Sequence, residues 1–279
     1  MALDIDTLIA LTGWIGAHAW PLFCAALLAL ILTVGAGAHV LRRPLRALSA
    51  QREPRPLLLL AGLAMGFAGV LGLAELFADI AEGLGDGHPM GRMDDALSRA
   101  IGQHTPPPVL QAFAWLTHLG DPAWLTLVCI AVAAALWLRR HRILALGWLL
   151  AVAGNALLNT TLKQVLARAR PFHEDGLVAA SGYSFPSGHT SGTVVAYGML
   201  AYLACNLLPP RWHVPAIAAA AAIAFTTACS RVFLRVHYAT DVLAGLCSGL
   251  AWLAVCIGSV AWARHRQHAR SAGAGERRP

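Results

Sequence analysis

The chain has 279 residues, of which 57% are hydrophobic and only 13% charged. A water-soluble domain carries about 25% charged residues, so the composition excludes an ordinary soluble domain and points to a chain solvated mostly by lipid. The net charge of +7 does not require a nucleic-acid partner, because basic residues can be sorted to one membrane face, and no aromatic-plus-basic stripe is present.

Residues 1–20 carry Asp4 and Asp6 but no Lys or Arg. A signal peptide starts with a basic region, so a short interfacial helix with Trp14 and Trp20 near the headgroups is the better reading. The first membrane span is predicted over 21–40, about the length that crosses a bilayer. Arg42, Arg43, Arg46, Arg52 and Arg55 follow, with Pro44, Pro54 and Pro56 as helix breakers. The second span is 57–81, and Glu75 and Asp79 fall on one helix face in its last turns. They read as interfacial acids touching water more readily than as a polar wall beside a site. Residues 82–121 form a long connection with small amphipathic helices expected over 94–104 and 108–118. Gly120-Asp121-Pro122 opens the third span, 122–138, and Arg139, Arg140 and Arg142 make a basic turn. The remaining spans are 143–163, 189–208, 214–231 and 240–263. The tail from Arg264 reads as polar, basic and unstructured. The six cysteines sit in or beside apolar runs without a CxxC pair, and read as small core residues.

Three polar clusters interrupt this apolar pattern. The first runs from Lys163 to Arg170-Pro171. Lys163 is the single lysine in the chain, beside 20 arginines, so a compact ammonium reads as chosen for its place. Seven residues, two helical turns, separate it from Arg170, which predicts that both project from one helix face, with Pro171 stopping the helix. Arg170 can grip two phosphate oxygens at once. Asn155 and Asn159 share that face, as polar support for a site or as ordinary interhelical hydrogen bonds.

The second cluster, Pro186-Ser187-Gly188-His189, opens a helix. Such an N-terminus offers free N–H groups and a positive dipole end to an anion. Gly188 permits close backbone approach. Ser187 can cap the helix. His189 is placed to protonate a departing oxygen.

In the third cluster, Ser230-Arg231 precedes His237 and Asp241, which are four residues apart. The carboxylate can hold one ring nitrogen and aim the other outward, so His237 reads as a nucleophile. Arg231 can neutralise phosphate charge. Three cations, two imidazoles and a carboxylate suit attack on a phosphate.

Counting Lys and Arg gives an orientation. One set of loops (42–55, 139–142, Arg211 and 264–278) holds 14 and the opposite set 7. The positive-inside rule puts the richer set in the cytoplasm. Seven alternating spans then bring all three clusters to the outer face.

Lys163–Pro171, Pro186–His189 and Ser230–Asp241 together resemble the three motifs of the type 2 phosphatidic acid phosphatase superfamily, whose helical core is shared with vanadium haloperoxidases and bacterial acid phosphatases. The resemblance spans about 57–263. It implies an all-α polytopic membrane bundle with a six-span phosphatase core over 57–263. The residues themselves add an interfacial segment, a span and a basic loop over 1–56, the extra span at 21–40 departing from the usual pattern, and a cytoplasmic tail over 264–279. The resemblance implies a phosphohistidine on His237 oriented by Asp241, with His189 as acid and then activator of water. Phosphate would be bound by Lys163, Arg170, Ser187, Gly188 and Arg231, with no metal and no cofactor. The expected substrate is a lipid phosphate in the outer leaflet of a bacterial inner membrane, of isoprenoid diphosphate (undecaprenyl diphosphate) or phosphatidate/phosphatidylglycerophosphate type. Alternatives are a lipid phosphotransferase on the same site, a vanadate-dependent haloperoxidase, disfavoured because those are soluble, and a non-enzymatic transporter, which has no need of a His237–Asp241 pair. Arg235 departs from the usual pattern, where a small residue is common. It is read as facing the headgroups, with contact to a second phosphate as the other option.

Overall fold

A computed structural model describes residues 4–49, 56–84, 88–171 and 177–275. Among them there is no strand, and the ten α-helices are α1 (Ile5–Ala17), α2 (Ala19–Ser49), α3 (Pro56–Glu82), α4 (Pro89–His104), α5 (Pro107–Leu116), α6 (Pro122–Leu138), α7 (Arg142–Leu166), α8 (Gly188–Leu207), α9 (His213–Phe233) and α10 (Ala239–Gly275). A 3-10 turn, Thr117–Gly120, joins α5 to α6.

Five helices, α2, α3, α7, α9 and α10, are long and apolar enough to cross a membrane, and α5 and α6, bent by 41° at their junction, meet that measure when taken together. Helix α8, over the span predicted at 189–208, opens Gly188-His189-Thr190-Ser191-Gly192-Thr193 and falls short on composition. It packs against α7, α9 and α10, so protein rather than lipid surrounds it, and its polar positions Thr190, Ser191 and Thr193 are buried. At 20 residues and about 1.5 Å rise each, it spans about 30 Å. The C-terminal ends of α7 and α9 and the N-terminal ends of α6, α8 and α10 meet at one end of the bundle.

Small residues let these helices approach. On α10, Gly245 and Gly249 form a GxxxG face. A Cβ on Gly245 would lie 2.7 Å from the Ser187 carbonyl, and one on Gly249 3.0 Å from Ser191 Cα. Indole donors stitch the bundle: Trp148 to the Cys129 carbonyl and Trp252 to the Ala151 carbonyl, both at 2.9 Å. The N-terminal part is tied in separately. Helix α1 packs on α4, and Phe23 of α2 stacks on Phe225 and meets Phe113 and Phe233 edge-on.

Three expectations are corrected. Helix α2 continues past residue 44 to Ser49. The chain beyond Arg264 is helical to Gly275, because the preceding span is already nucleated, the segment lacks proline, and Arg266 lies over the Trp262 ring at 4.0 Å. Helix α7 stops at Leu166, with Ala167 left-handed at φ 43°, so Lys163 and Arg170 do not share a helix face. The left-handed turn at Ala167 takes the chain out of the helix before Pro171 is reached, and a proline restricts only the residue directly before it. Residues 50–55 of the expected basic loop, 172–176 and 276–279 lie outside the described residues.

Candidate active site

Where the helix ends meet there is a cavity of about 520 Å³. Lys163, Arg170, Gly188, His189, Arg231 and His237 all line it, with Asp121, Asn155 and Asn159. Ser187 and Asp241 do not line it; both are 0% exposed beneath it. Its apolar side is Leu125 on α6 with Val152 and Ala156 on α7.

Arg170 reaches the cavity from the 167–171 turn because carbonyls hold its guanidinium. It donates to Gly182 and Ser181 at 3.0 Å, Tyr183 at 3.2 Å and Val236 at 2.7 Å. Lys163 donates to the Tyr183 carbonyl and, at 3.3 Å, to Ser184. The 181–184 strap thus aligns the two cations that the helix was expected to align. Arg231 is 2% exposed. One of its nitrogens donates to Thr117 Oγ1 at 2.7 Å, and its Nε has no partner among the described residues. A buried guanidinium with an unused donor at a cavity wall is suited to an anion.

His237 follows α9 in a turn folded back on that helix: the amides of Val236 and His237 both donate to the Arg231 carbonyl at 3.2 Å. The turn passes through Arg235 at φ 54°, left-handed geometry that favours small residues. That accounts for the unusual look of an arginine there. Its side chain lies over Gly102 of α4, where a Cβ would come within 2.6 Å of Arg235 Nη1, and it is not among the residues that line the cavity.

The imidazole is fixed at both nitrogens. Nδ1 lies 3.3 Å from Asp241 Oδ2, and Arg170 Nη1 approaches Nε2 at 3.2 Å. A guanidinium only donates, so Nε2 carries the lone pair and Nδ1 the proton. Burial pushes the ring's pKa down to about 3, with Asp241 offsetting this only in part. His237 is therefore a neutral base with its lone pair at the cavity.

Asp241 is itself anchored. Oδ2 accepts from the Tyr238 amide at 2.9 Å, and Oδ1 from Arg168 at 2.6 Å. The Ser187 amide donates to the Asp241 carbonyl at 2.9 Å, which joins the second cluster to the third. Arg168 also binds Asp94 of α4 at 2.9 Å and Thr240 Oγ1 at 2.8 Å, and stacks on Tyr238 at 4.2 Å. Burial alone would lower the Arg168 guanidinium, but Asp241 and Asp94 outweigh it and raise it. Neither Arg168 nor Asp94 was singled out from sequence. Arg168 lies inside the first cluster, and its lack of an assigned role was the available signal.

Ser187 caps α8: its hydroxyl accepts from Thr190 N at 3.4 Å and Thr190 Oγ1 at 3.0 Å. The capping role is the one the geometry displays. Asn155 and Asn159 do both things left open for them. They line the cavity and reach Ser191 Oγ at 3.4 and 3.3 Å. His189 Nε2 is 2.8 Å from Asp121 Oδ1, and His118 Nδ1 is 2.5 Å from Asp121 Oδ2. These partners too were not foreseen. Among the described residues no group of three or more His, Cys, Asp or Glu could hold a metal ion.

The PAP2 superfamily model matches residues 144–265, which takes in α7 to α10 and all three clusters. Over 159 residues the chain is 33% identical to phosphatidylglycerophosphatase B of Bacillus subtilis, covering 56% of this chain and 78% of that one. The chain belongs to the PAP2 superfamily. It is also 35% identical over 173 residues to a lipid A 1-phosphatase of Rhizobium johnstonii, covering 54% and 67% of the two chains. With decaprenylphosphoryl-5-phosphoribose phosphatase of Mycolicibacterium smegmatis it shares 32% over 147 residues, covering 50% and 72%. The crystal structure of a transmembrane PAP2-type phosphatidylglycerolphosphate phosphatase from Bacillus subtilis superimposes with a TM-score of 0.63 at 30% identity, over 68% of this chain and 94% of that one. This PAP2 protein is a phosphatase and an integral membrane protein.

Proposed function

We propose that this PAP2 phosphatase hydrolyses a phosphate monoester or diphosphate of a membrane lipid, through a phosphohistidine on His237, at the outer face of a bacterial inner membrane. The observation that carries the reading is the His237 ring: Asp241 holds Nδ1 while the Nε2 lone pair faces a cavity walled by Lys163, Arg170 and Arg231. Those cations and the N–H groups opening α8 hold the phosphate oxygens. Nε2 attacks phosphorus, and His189 gives its proton to the leaving oxygen. Water then attacks the phosphoenzyme as His189 takes a proton back. The apolar wall of Leu125, Val152 and Ala156 suits a substrate whose lipid chain stays in the bilayer. Relatives named for phosphatidylglycerophosphate, lipid A and decaprenylphosphoryl-phosphoribose support this class, and isoprenoid diphosphates and phosphatidate fall within it. The bias of Lys and Arg to one loop set supports the outer face.

The test is phosphate release by the purified protein across a panel of lipid phosphates with chelator present. Release that survives chelation is expected; activity abolished by chelator and restored by Mg²⁺ contradicts the mechanism. Right-side-out vesicles given a water-soluble, short-chain substrate should hydrolyse it without detergent. Activity seen only after permeabilisation contradicts the orientation.

A further inference from the structure

Asp121 lies outside all three motifs, at the bend between the 3-10 turn and α6. The bend is pressed onto the cavity. A Cβ on Gly120 would meet Thr227 Cγ2 at 2.7 Å and His189 Cδ2 at 3.1 Å, so glycine is what allows the approach. Tyr197 of α8 fixes the bend by donating to the Leu119 carbonyl at 3.1 Å. Seated this way, Asp121 puts one oxygen 2.8 Å from His189 Nε2 and the other 2.5 Å from His118 Nδ1. Burial would raise the carboxyl's pKa, but the hydrogen bonds from His118 and His189 outweigh it and hold it below its ordinary value. The carboxylate is thus an ionised acceptor for both rings. With His189 Nε2–H given to Asp121, Nδ1 is the nitrogen left for a reacting oxygen.

We propose that Asp121 is a positioning residue for His189: it fixes the tautomer that presents Nδ1 to the leaving oxygen and stabilises the imidazolium that protonates it, while His118 holds the carboxylate in place. This rests on His189 acting as the acid. In the first step the bond from His237 Nε2 to phosphorus forms and the phosphorus–leaving-oxygen bond breaks. The proton on His189 Nδ1 moves to that oxygen. In the second step water's oxygen bonds to phosphorus, the nitrogen–phosphorus bond breaks, and a water proton returns to Nδ1. Asp121 keeps its charge throughout and neither gains nor loses a proton.

The test uses the purified full chain, with dioctanoyl phosphatidate or farnesyl monophosphate (whichever is turned over faster), both of which release an alcohol, beside p-nitrophenyl phosphate. Asp121→Asn should lower kcat on the lipid by about 100-fold and on the aryl phosphate by less than about 3-fold, with KM little changed, because only the poor leaving group needs a proton. Asp121→Glu should recover part of the loss. His118→Ala should give the same pattern more weakly. Added to His189→Ala, Asp121→Asn should cost nothing further, since residues acting as one unit are not additive. Equal losses on both substrates, or a loss that adds to that of His189→Ala, would overturn the role of Asp121 alone. If His189→Ala itself treats the two substrates alike, the assignment of His189 fails and the proposal with it.

Discussion

Two histidine–carboxylate pairs meet at one cavity, and burial separates them. His237 and Asp241 are 2% and 0% exposed, whereas His189 and Asp121 are 17% and 33% exposed. The deep pair sits on a second layer, Arg168 and Asp94, that leaves Asp241 no freedom to move. The shallow pair leans on His118, which is 58% exposed. The same two residue types thus give different chemistry. A shut-in pair keeps a neutral ring with a fixed lone pair, as a nucleophile requires. A pair at the cavity wall is placed to pass a proton to and from a reacting oxygen, as an acid and base must.

The harshest break of the deep pair that keeps its shape is Asp241→Asn. The ring keeps its nitrogen and loses its orientation, so turnover should fall by about 10³- to 10⁴-fold and leave a measurable residue. Steady-state kinetics on a lipid phosphate reads this directly, and a loss below about tenfold would remove Asp241 from the mechanism. Next comes the layer beneath. Arg168→Ala leaves Asp241 and Asp94 buried without their shared cation, and breaking a buried pair from one side costs about 3–5 kcal/mol. Thermal unfolding in detergent should show that loss, whereas a surface arginine such as Arg211 should show none.

Acid should also distinguish the pairs. His237 titrates near 3 in the folded protein, below the ordinary 6.5, so the unfolded chain binds the extra proton between those values. Stability from this ring is fully present above about pH 6.5 and is lost as pH falls toward 3. His237→Asn should weaken that acid dependence in a pH series of unfolding midpoints; an unchanged slope would show that the ring is not held neutral. The smallest effect belongs to Ser187. Its hydroxyl caps α8, so Ser187→Ala should cost about 1 kcal/mol of stability. A much larger fall in kcat/KM than in stability would show instead that the hydroxyl grips phosphate.

The three clusters were legible because the residues of each lie close together in sequence, and the extreme apolarity around them marked them out. The spans were legible for the same reason, α8 among them over 189–208 in spite of its polar first turns. What joins the clusters was not legible. Arg168 meets Asp94 across 74 positions and His189 meets Asp121 across 68, and no local periodicity reports such pairings. The position of Arg170 was misjudged because the two-turn spacing from Lys163 fits a helix. The left-handed Ala167 that ends α7 early carries no residue signature. Arg235 stood out in sequence for a reason only the backbone explains, its positive φ.

The central claim is that His237, and not His189, forms the bond to phosphorus. Labelling with a radiolabelled aryl phosphate, stopped in alkaline detergent, tests it, because such a substrate needs no proton on its leaving group. Wild type should give an acid-labile, base-stable label. His237→Ala should give none, and His189→Ala should retain or accumulate it as hydrolysis slows. Label retained in His237→Ala, or lost only in His189→Ala, would contradict the account and exchange the roles of the two histidines.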